Sequence, residues 1–96
     1  MKILFVCLGN ICRSPLAEAV FNHKIKSQKL DAYFQADSCG TGNYDIGGPA
    51  DHRTISTAKK NGVSIDHKAR QLTEADLIEF DLIFAMDESN QFNILQ

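Results

Sequence analysis

Residues 2–19 read KILFVCLGNICRSPLAEA and decide the fold. The apolar run at 3–6 has no polar alternation, which is typical of a strand buried on both faces, and it stops at Cys7. Ser14 followed by Pro15 predicts a helix start, with a hydroxyl at the N-cap and a residue lacking an N–H at the first helical position. The tight loop between them, which contains Gly9, directs backbone N–H groups and the positive end of a helix dipole at one small volume. The stretch therefore predicts an anion site.

Cys7 and Arg13 enter this volume with the spacing C-x5-R. A thiol at a helix N-terminus beside a guanidinium group is favoured as the thiolate, which is the form that attacks. Arg13 is suited to bind two oxygens of a phosphoryl group, while the loop amides hold the others as charge redistributes. Together they predict covalent phosphoryl transfer. The structural alternative is that Cys7 is a small buried hydrophobe at a strand end and Arg13 is a surface cation.

The composition of the chain limits the number of domains and argues against several kinds of binding function. A chain of 96 residues and 10.7 kDa is predicted to form a single small domain over residues 1–96. The net charge of −2 and the pI of 5.8 argue against nucleic-acid and membrane-surface binding. Neither a signal sequence nor a bilayer-spanning stretch is expected. Three cysteines fit a reducing cytoplasm, and with three dispersed histidines they match no common zinc spacing, so no metal is predicted.

Periodicity and turn residues predict the other elements. A helix of about fourteen residues follows Pro15. Its two faces are predicted as Ala17, Val20, Phe21 and Ile25 towards the sheet, and Glu18, Asn22, Lys26 and Lys29 away from it. The later elements are predicted as a strand from Tyr33 that ends near Ser38, a glycine-rich loop at 39–48, a helix between Pro49 and Gly62, a short helix after Thr73, a strand at 82–86, and a helix capped by Asp87 that ends in Ile94 and Leu95.

The order of these elements predicts the topology. A strand, a helix and a strand within about 37 residues make a right-handed crossover, so the sheet should be parallel. The reactive loop should then lie at the carboxyl edge of that sheet.

The motif CLGNICRSP, directly after an apolar strand, resembles the signature loop of the low-molecular-weight protein tyrosine phosphatases. The likeness continues in order through Asp37-Ser38, Gly40-Thr41, Tyr44, Asp51-His52-Arg53, His67, Ala69-Arg70, Ala85-Met86-Asp87 and Asn90. It implies a flavodoxin-like, doubly wound α/β fold in three α/β/α layers around a central parallel sheet. It also implies metal-free and cofactor-free hydrolysis of phosphotyrosine proteins and small aryl phosphates through a thiophosphate on Cys7.

The resemblance assigns roles to individual residues. The catalytic residues are Cys7 and Arg13; the phosphate loop is Leu8, Gly9, Asn10, Ile11, Cys12 and Ser14; the supporting network is Asn10, Ser14, Ser38 and His67; the pocket wall is Tyr44. From chemistry alone, Ser14 is suited to donate a hydrogen bond to the Cys7 thiolate. Pattern alone equally allows plain structural roles for Tyr44 and His67.

Three further positions have two interpretations each. Cys12 is either a redox partner that forms a reversible disulfide with Cys7 or a plain core thiol. Asp51 and Arg53 form a surface ion pair by default, whereas the resemblance suggests that they fix the loop around the site.

The family uses an aspartate in an Asp-Pro dipeptide as general acid and then general base. The sequence has no Asp-Pro, because its two prolines follow Ser14 and Gly48. The family's fourth strand and final helix are also expected to be missing, which favours a fragment over a truncated, impaired form. Asp87 is a substitute acid, although a helix cap is the favoured interpretation.

Alternatives remain at the level of function. An impaired phosphate- or phosphotyrosine-binding module is one, and a protein-arginine phosphatase or arsenate reductase of the same fold is another. Ile11 stands where arginine phosphatases typically have Thr, and Cys39 lies in the predicted loop rather than in a downstream pair as in the reductases. A monomer is expected, with a weak dimer as the alternative.

Overall fold

Three parallel strands form the central sheet of the computed structural model, which describes residues 1–9, 13–42 and 46–86. The elements in chain order are β1 (Lys2–Cys7), α1 (Arg13–Ser27), β2 (Gln35–Gly40), α2 (His52–Lys60), α3 (Glu74–Glu79) and β3 (Leu82–Ala85). The strand order is β2-β1-β3, so β1 is central and its carboxyl end lies between two neighbours. The predicted parallel sheet is confirmed. The predicted helix after Asp87 lies outside the described residues.

The strand register places different side chains on the two faces of the sheet. Val6 pairs with Cys39, and both are buried with Leu4 against Leu72 and Phe80, the residues on either side of α3. On the other face Phe5 packs edge-on against Phe21 of α1, with ring centroids 6.0 Å apart. Helices therefore lie on both faces, which confirms the predicted three-layer arrangement.

β2 begins and ends later than predicted. Tyr33 lies in a turn and is 69% exposed, and its carbonyl accepts a hydrogen bond from the chain's amino terminus. Cys39 and Gly40, predicted in a loop, instead complete the strand, because their backbone groups pair with β1 and with residues 70–72. The aromatic residues that suggested a strand belong to the turn before it.

α2 also begins later than the proline that was predicted to open it. Pro49 forms an isolated bridge with Lys68, and Asp51 is the N-cap because its carboxylate accepts a hydrogen bond of 2.8 Å from the Arg53 N–H. The helix ends at Lys60, and Gly62 beyond it has a φ of +78°, where glycine is favoured. The predicted end is therefore confirmed, but the predicted start is wrong.

α1 departs from its predicted faces. Val20, expected to face the sheet, is 37% exposed, whereas Glu18 and Asn22, expected to face away from it, are half-buried against β2. Hydrogen bonds to β2 offset the cost of burying these polar groups, so hydrophobic periodicity alone assigned them to the wrong side.

The remaining short elements follow the sequence. Thr73 and Asp76 form the expected capping box at the start of α3. β3 covers four of the five predicted residues. Across the described residues, no helix is long and apolar enough to cross a bilayer.

Candidate active site

The site lies where β1 ends and α1 begins. Cys7 is the last residue of β1 and is buried, and Arg13 is the exposed first residue of α1. The Thr41 N–H donates to the Cys7 carbonyl at 3.0 Å, and the Gly42 N–H donates to the Leu8 carbonyl at 2.8 Å. These two bonds tie the residues after β2 to the end of β1 and to the residue after it, so the start of the loop is fixed beside the carboxyl end of β2.

Ser14 contacts the sulfur of Cys7. Its Oγ lies 2.9 Å from Cys7 Sγ and 3.4 Å from the Cys39 carbonyl, and Ser14 is fully buried. A thiolate has no proton to give, so Ser14 is the donor whenever Cys7 is ionised. The expected contact is therefore present.

The predicted N-cap role of Ser14 is wrong. α1 begins at Arg13, so Ser14 lies inside the first turn with its hydroxyl committed to Cys7 and the Cys39 carbonyl. Pro15 is still tolerated there, because first-turn N–H groups have no acceptor within the helix.

Behind these residues, Glu18 joins two positions of the predicted network. Ser38 Oγ donates to Glu18 Oε1 at 2.6 Å, and His67 Nδ1 lies 3.7 Å from the same oxygen. Ser38 is fully buried, and the His67 side chain is only 7% exposed. Burial raises the pKa of Glu18, and the Ser38 hydrogen bond partly opposes that shift. Ser38 and His67 are thus brought to one carboxylate that the sequence analysis had placed away from the sheet.

Residues 70–72 brace the end of β2. The Gly40 N–H donates to the Arg70 carbonyl at 2.8 Å, and the Leu72 N–H donates to the Gly40 carbonyl at 2.7 Å. The Arg70 guanidinium binds both carboxylate oxygens of Asp76, at 2.9 and 3.0 Å, and Asp37 at 3.0 Å. Burial alone would raise the pKa of Asp76, but the hydrogen bonds from Arg70 and Thr73 lower it. Arg70 therefore ties α3 to β2 next to the site.

The second buried thiol points away from the first. Cys39 pairs with Val6, so its side chain lies on the face opposite to that of Cys7, which is one residue further along β1. Burial raises the pKa of Cys39 to about 12. Cys39 is consequently a core residue and not a nucleophile.

Some of the other predicted positions lie within the described residues and some lie outside them. Leu8 is exposed and Gly9 half-buried at the start of the loop. Asp51 and Arg53 pair with each other at 3.3 Å, and Arg53 is 82% exposed, as expected of a surface ion pair. Outside the described residues lie the predicted positions Asn10, Ile11, Cys12, Tyr44 and Asp87, whose roles remain predictions.

Two further observations concern the described residues only. Thr41 Oγ1 is buried and, within these ranges, has no hydrogen-bond partner. No group of three or more histidine, cysteine or carboxylate side chains in these ranges is arranged to hold a metal ion.

A thiol at the carboxyl end of a central parallel strand, contacted by a serine and followed by an arginine at the helix start, defines an α/β protein with the loop of cysteine-dependent phosphatases. The model of the low molecular weight phosphotyrosine protein phosphatase family matches residues 2–96, and the chain belongs to this family.

Relatives and solved structures agree. The chain is 53% identical over 95 residues to a low molecular weight phosphotyrosine protein phosphatase of Schizosaccharomyces pombe, covering 98% of this chain and 61% of the relative. A protein tyrosine phosphatase of Entamoeba histolytica superposes with a TM-score of 0.96 at 45% identity, covering 99% of this chain and 61% of that one. A Drosophila arginine phosphatase superposes with a TM-score of 0.95 at 37% identity, covering 99% and 60%. The chain thus spans about three fifths of the length of these proteins.

Proposed function

We propose that this chain carries the nucleophile and the anion-binding loop of a protein tyrosine phosphatase that hydrolyses phosphotyrosine and aryl phosphates. The observation that carries this proposal is the 2.9 Å contact between Cys7 Sγ and Ser14 Oγ at the junction of β1 and α1. The serine hydroxyl is placed to donate to the sulfur when Cys7 attacks, and family membership supplies the reaction class.

The proposed chemistry has two steps and needs no metal. Cys7 Sγ attacks phosphorus in line, an S–P bond forms, and the P–O bond breaks with its electron pair leaving on the phenolate oxygen. Water then attacks the thiophosphate, so that inorganic phosphate leaves and the thiolate returns. Arg13 and the amides of residues 8–14 bind the equatorial oxygens in both steps. Protonation of the leaving oxygen requires a general acid, and none is assigned among the described residues.

Four further residues have proposed roles at the site, three in the pocket and one in redox protection. Tyr44, as an aromatic wall, and Ile11, as a branched apolar contact, suit a phenyl ring. When a peroxide oxidises Cys7 to a sulfenic acid, the Cys12 thiol is proposed to condense with it, so that a disulfide forms and water leaves; a thiol reductant then restores both cysteines, and the nucleophile is protected from over-oxidation. Leu8, exposed at the start of the loop, adds apolar surface at the rim.

Phosphoarginine is a second candidate substrate, favoured by the likeness to the Drosophila arginine phosphatase. Ile11 supports the aryl substrate, because an apolar wall contributes more to binding a phenyl ring than to binding a charged guanidinium group. Turnover of a phosphotyrosine peptide and a phosphoarginine peptide should be compared at equal concentrations. Faster turnover of the phosphoarginine peptide would contradict the proposed substrate class.

An arsenate reductase is disfavoured by the position of Cys39. The reductases of this fold use cysteines downstream of the loop as a relay. Cys39 is the one cysteine of this sequence that follows the loop, and it lies on the face of the sheet opposite to Cys7, with its pKa raised to about 12.

The experiment that tests the proposal is hydrolysis of p-nitrophenyl phosphate by the chain and by its Cys7→Ser variant. We expect the wild-type chain to release p-nitrophenolate and the variant to release none. Activity that survives in the variant would refute the mechanism. A burst of about one phenolate per chain, followed by negligible turnover, would instead identify the impaired binding module.

Two partner and location predictions accompany this proposal. We also propose a monomer in a reducing cytoplasm; the location rests on the odd number of cysteines, one of them placed for catalysis, which suits a reducing compartment better than a disulfide scaffold does. Sedimentation at two concentrations would distinguish the monomer from a weak dimer.

A further inference from the structure

One face of α1 is hydrogen-bonded to β2 at three successive turns. Ser14 Oγ contacts the Cys39 carbonyl at 3.4 Å, and Glu18 Oε1 accepts from Ser38 Oγ at 2.6 Å. Asn22 binds the backbone of Ala36 twice, accepting from its N–H at 3.3 Å and donating to its carbonyl at 3.2 Å. Residues 14, 18 and 22 are four apart and lie on one helix face, which we call the α1 polar seam.

The middle member of the α1 polar seam differs from the other two because it carries charge. Besides Ser38, the Glu18 carboxylate faces His67, whose Nδ1 is 3.7 Å from Oε1. It also interacts electrostatically with Asp37 and Arg70 on the far side of β2. The Ser38 hydroxyl has one proton, and the 2.6 Å contact commits it to Glu18. Ser38 Oγ is therefore oriented with its lone pairs available to neighbouring donors.

Glu18 is also one turn from the residue that contacts the nucleophile. Ser14 and Glu18 share the same helix face, and Ser14 Oγ is 2.9 Å from Cys7 Sγ. A rotation or slide of α1 would move Ser14 relative to the end of β1, and the bond between Glu18 and Ser38 resists that movement where α1 crosses β2.

We propose that Glu18 is a positioning residue for the anion loop, holding Ser38 and His67 in place and keeping the first turn of α1 in register with the end of β2. The inference rests on the proposed function, because it concerns the same site. It assigns a purpose to a half-buried carboxylate that the reaction itself does not use.

The test compares Glu18→Ala with Asn22→Ala, which breaks the next contact of the α1 polar seam one turn further from Cys7. The probe is inorganic phosphate, whose dissociation constant is measured by NMR titration, and thermal unfolding is recorded for each variant. We expect Glu18→Ala to weaken phosphate binding by about tenfold, because a hydrogen bond to a charged group is lost. We expect Asn22→Ala to bind phosphate within about twofold of wild type although it also lowers the melting temperature.

A purely structural role for Glu18 predicts a different result. Both variants would then lose stability and neither would lose phosphate affinity, or both would lose affinity equally; either result overturns the inference. Glu18→Gln retains an acceptor oxygen for Ser38 without the charge, so it should recover part of the lost affinity. If it recovers none although its fold is intact, the proposed orientation of Ser38 is wrong.

A second measurement keeps the test valid if Glu18→Ala does not fold. In a double-mutant cycle with Glu18→Gln and Ser38→Ala, the two losses of phosphate affinity should be non-additive, because Glu18 acts through Ser38. Additive losses would overturn the inference. A wild-type chain that binds no phosphate would instead refute the proposed function, and this inference with it.

Discussion

Replacing Ser14 by alanine should slow the chemistry of Cys7 without unfolding the chain. The Ser14 hydroxyl lies 2.9 Å from the sulfur, and both residues are buried. A hydrogen bond to a charged group contributes about 1.5 to 3 kcal/mol. Losing it removes up to that much stabilisation of the reactive form of Cys7, so the observed alkylation should slow, by about 150-fold at most. The long contact of 3.4 Å to the Cys39 carbonyl adds a stability cost of about 1 kcal/mol at most.

The assay is alkylation of Cys7 by iodoacetamide at pH 7, followed by tandem mass spectrometry, which distinguishes Cys7 from Cys12 within the same peptide. This readout needs no turnover, so it does not depend on a general acid. Cys39 provides an internal standard, because a buried thiol with a pKa of about 12 should stay unmodified while the chain is folded.

Ser27→Ala is the matched control. Its hydroxyl makes a comparable bond, 2.8 Å to the Lys24 carbonyl, but at the exposed far end of the same helix. Alkylation of Cys7 should therefore proceed at the wild-type rate in this variant. If Ser14→Ala is folded and its Cys7 is alkylated within twofold of the wild-type rate, Ser14 does not stabilise the thiolate and the reasoning fails.

Other expectations concern stability. Asp76→Asn should lower the free energy of unfolding in urea at pH 7 by about 2 to 3 kcal/mol, because it removes the charge that binds Arg70 through two hydrogen bonds. Glu79→Gln is the control: Glu79 forms an exposed pair with Lys2, so this change should cost less than about 0.5 kcal/mol. Folding lowers the pKa of Asp76, so its stabilisation is complete above the ordinary value of 3.8 and fades below it; a difference that stays constant down to pH 3 would contradict this origin. Thr41→Val should raise stability by about 0.5 to 1 kcal/mol, because the buried hydroxyl has no partner in the described residues; a lower melting temperature would show that it has one.

The accuracy of the sequence-based predictions followed the range of the interactions involved. β1, the capping box of α3 and the end of α2 at Gly62 depend on residues close together in sequence, and each was predicted correctly. The start of β2 depends on pairing with β1, and aromatic content near Tyr33 placed it too early. Tertiary hydrogen bonds decided that boundary, and a local propensity does not include them.

At the site, too, features that depend on neighbouring residues were predicted and those that depend on tertiary contacts were missed. The spacing of Cys7 and Arg13 and the contact of Ser14 with the sulfur follow from one short loop, so sequence reasoning reached them. Glu18 was missed because a charged residue on a helix is normally solvated. The only signal in the sequence was the four-residue spacing of Ser14, Glu18 and Asn22, whose meaning depends on β2 lying alongside α1.

By itself the sequence determined the family and the position of the candidate nucleophile, since a strand, the C-x5-R loop and a helix start are contiguous and need no distant partner. Only the tertiary structure decided which polar side chains support that loop. Glu18, Ser38 and His67 are separated by up to 49 residues in the chain, and they meet because α1 packs on β2 while the segment after α2 returns to the same place. A buried carboxylate is tolerated only where such partners converge, and that convergence is a property of the fold.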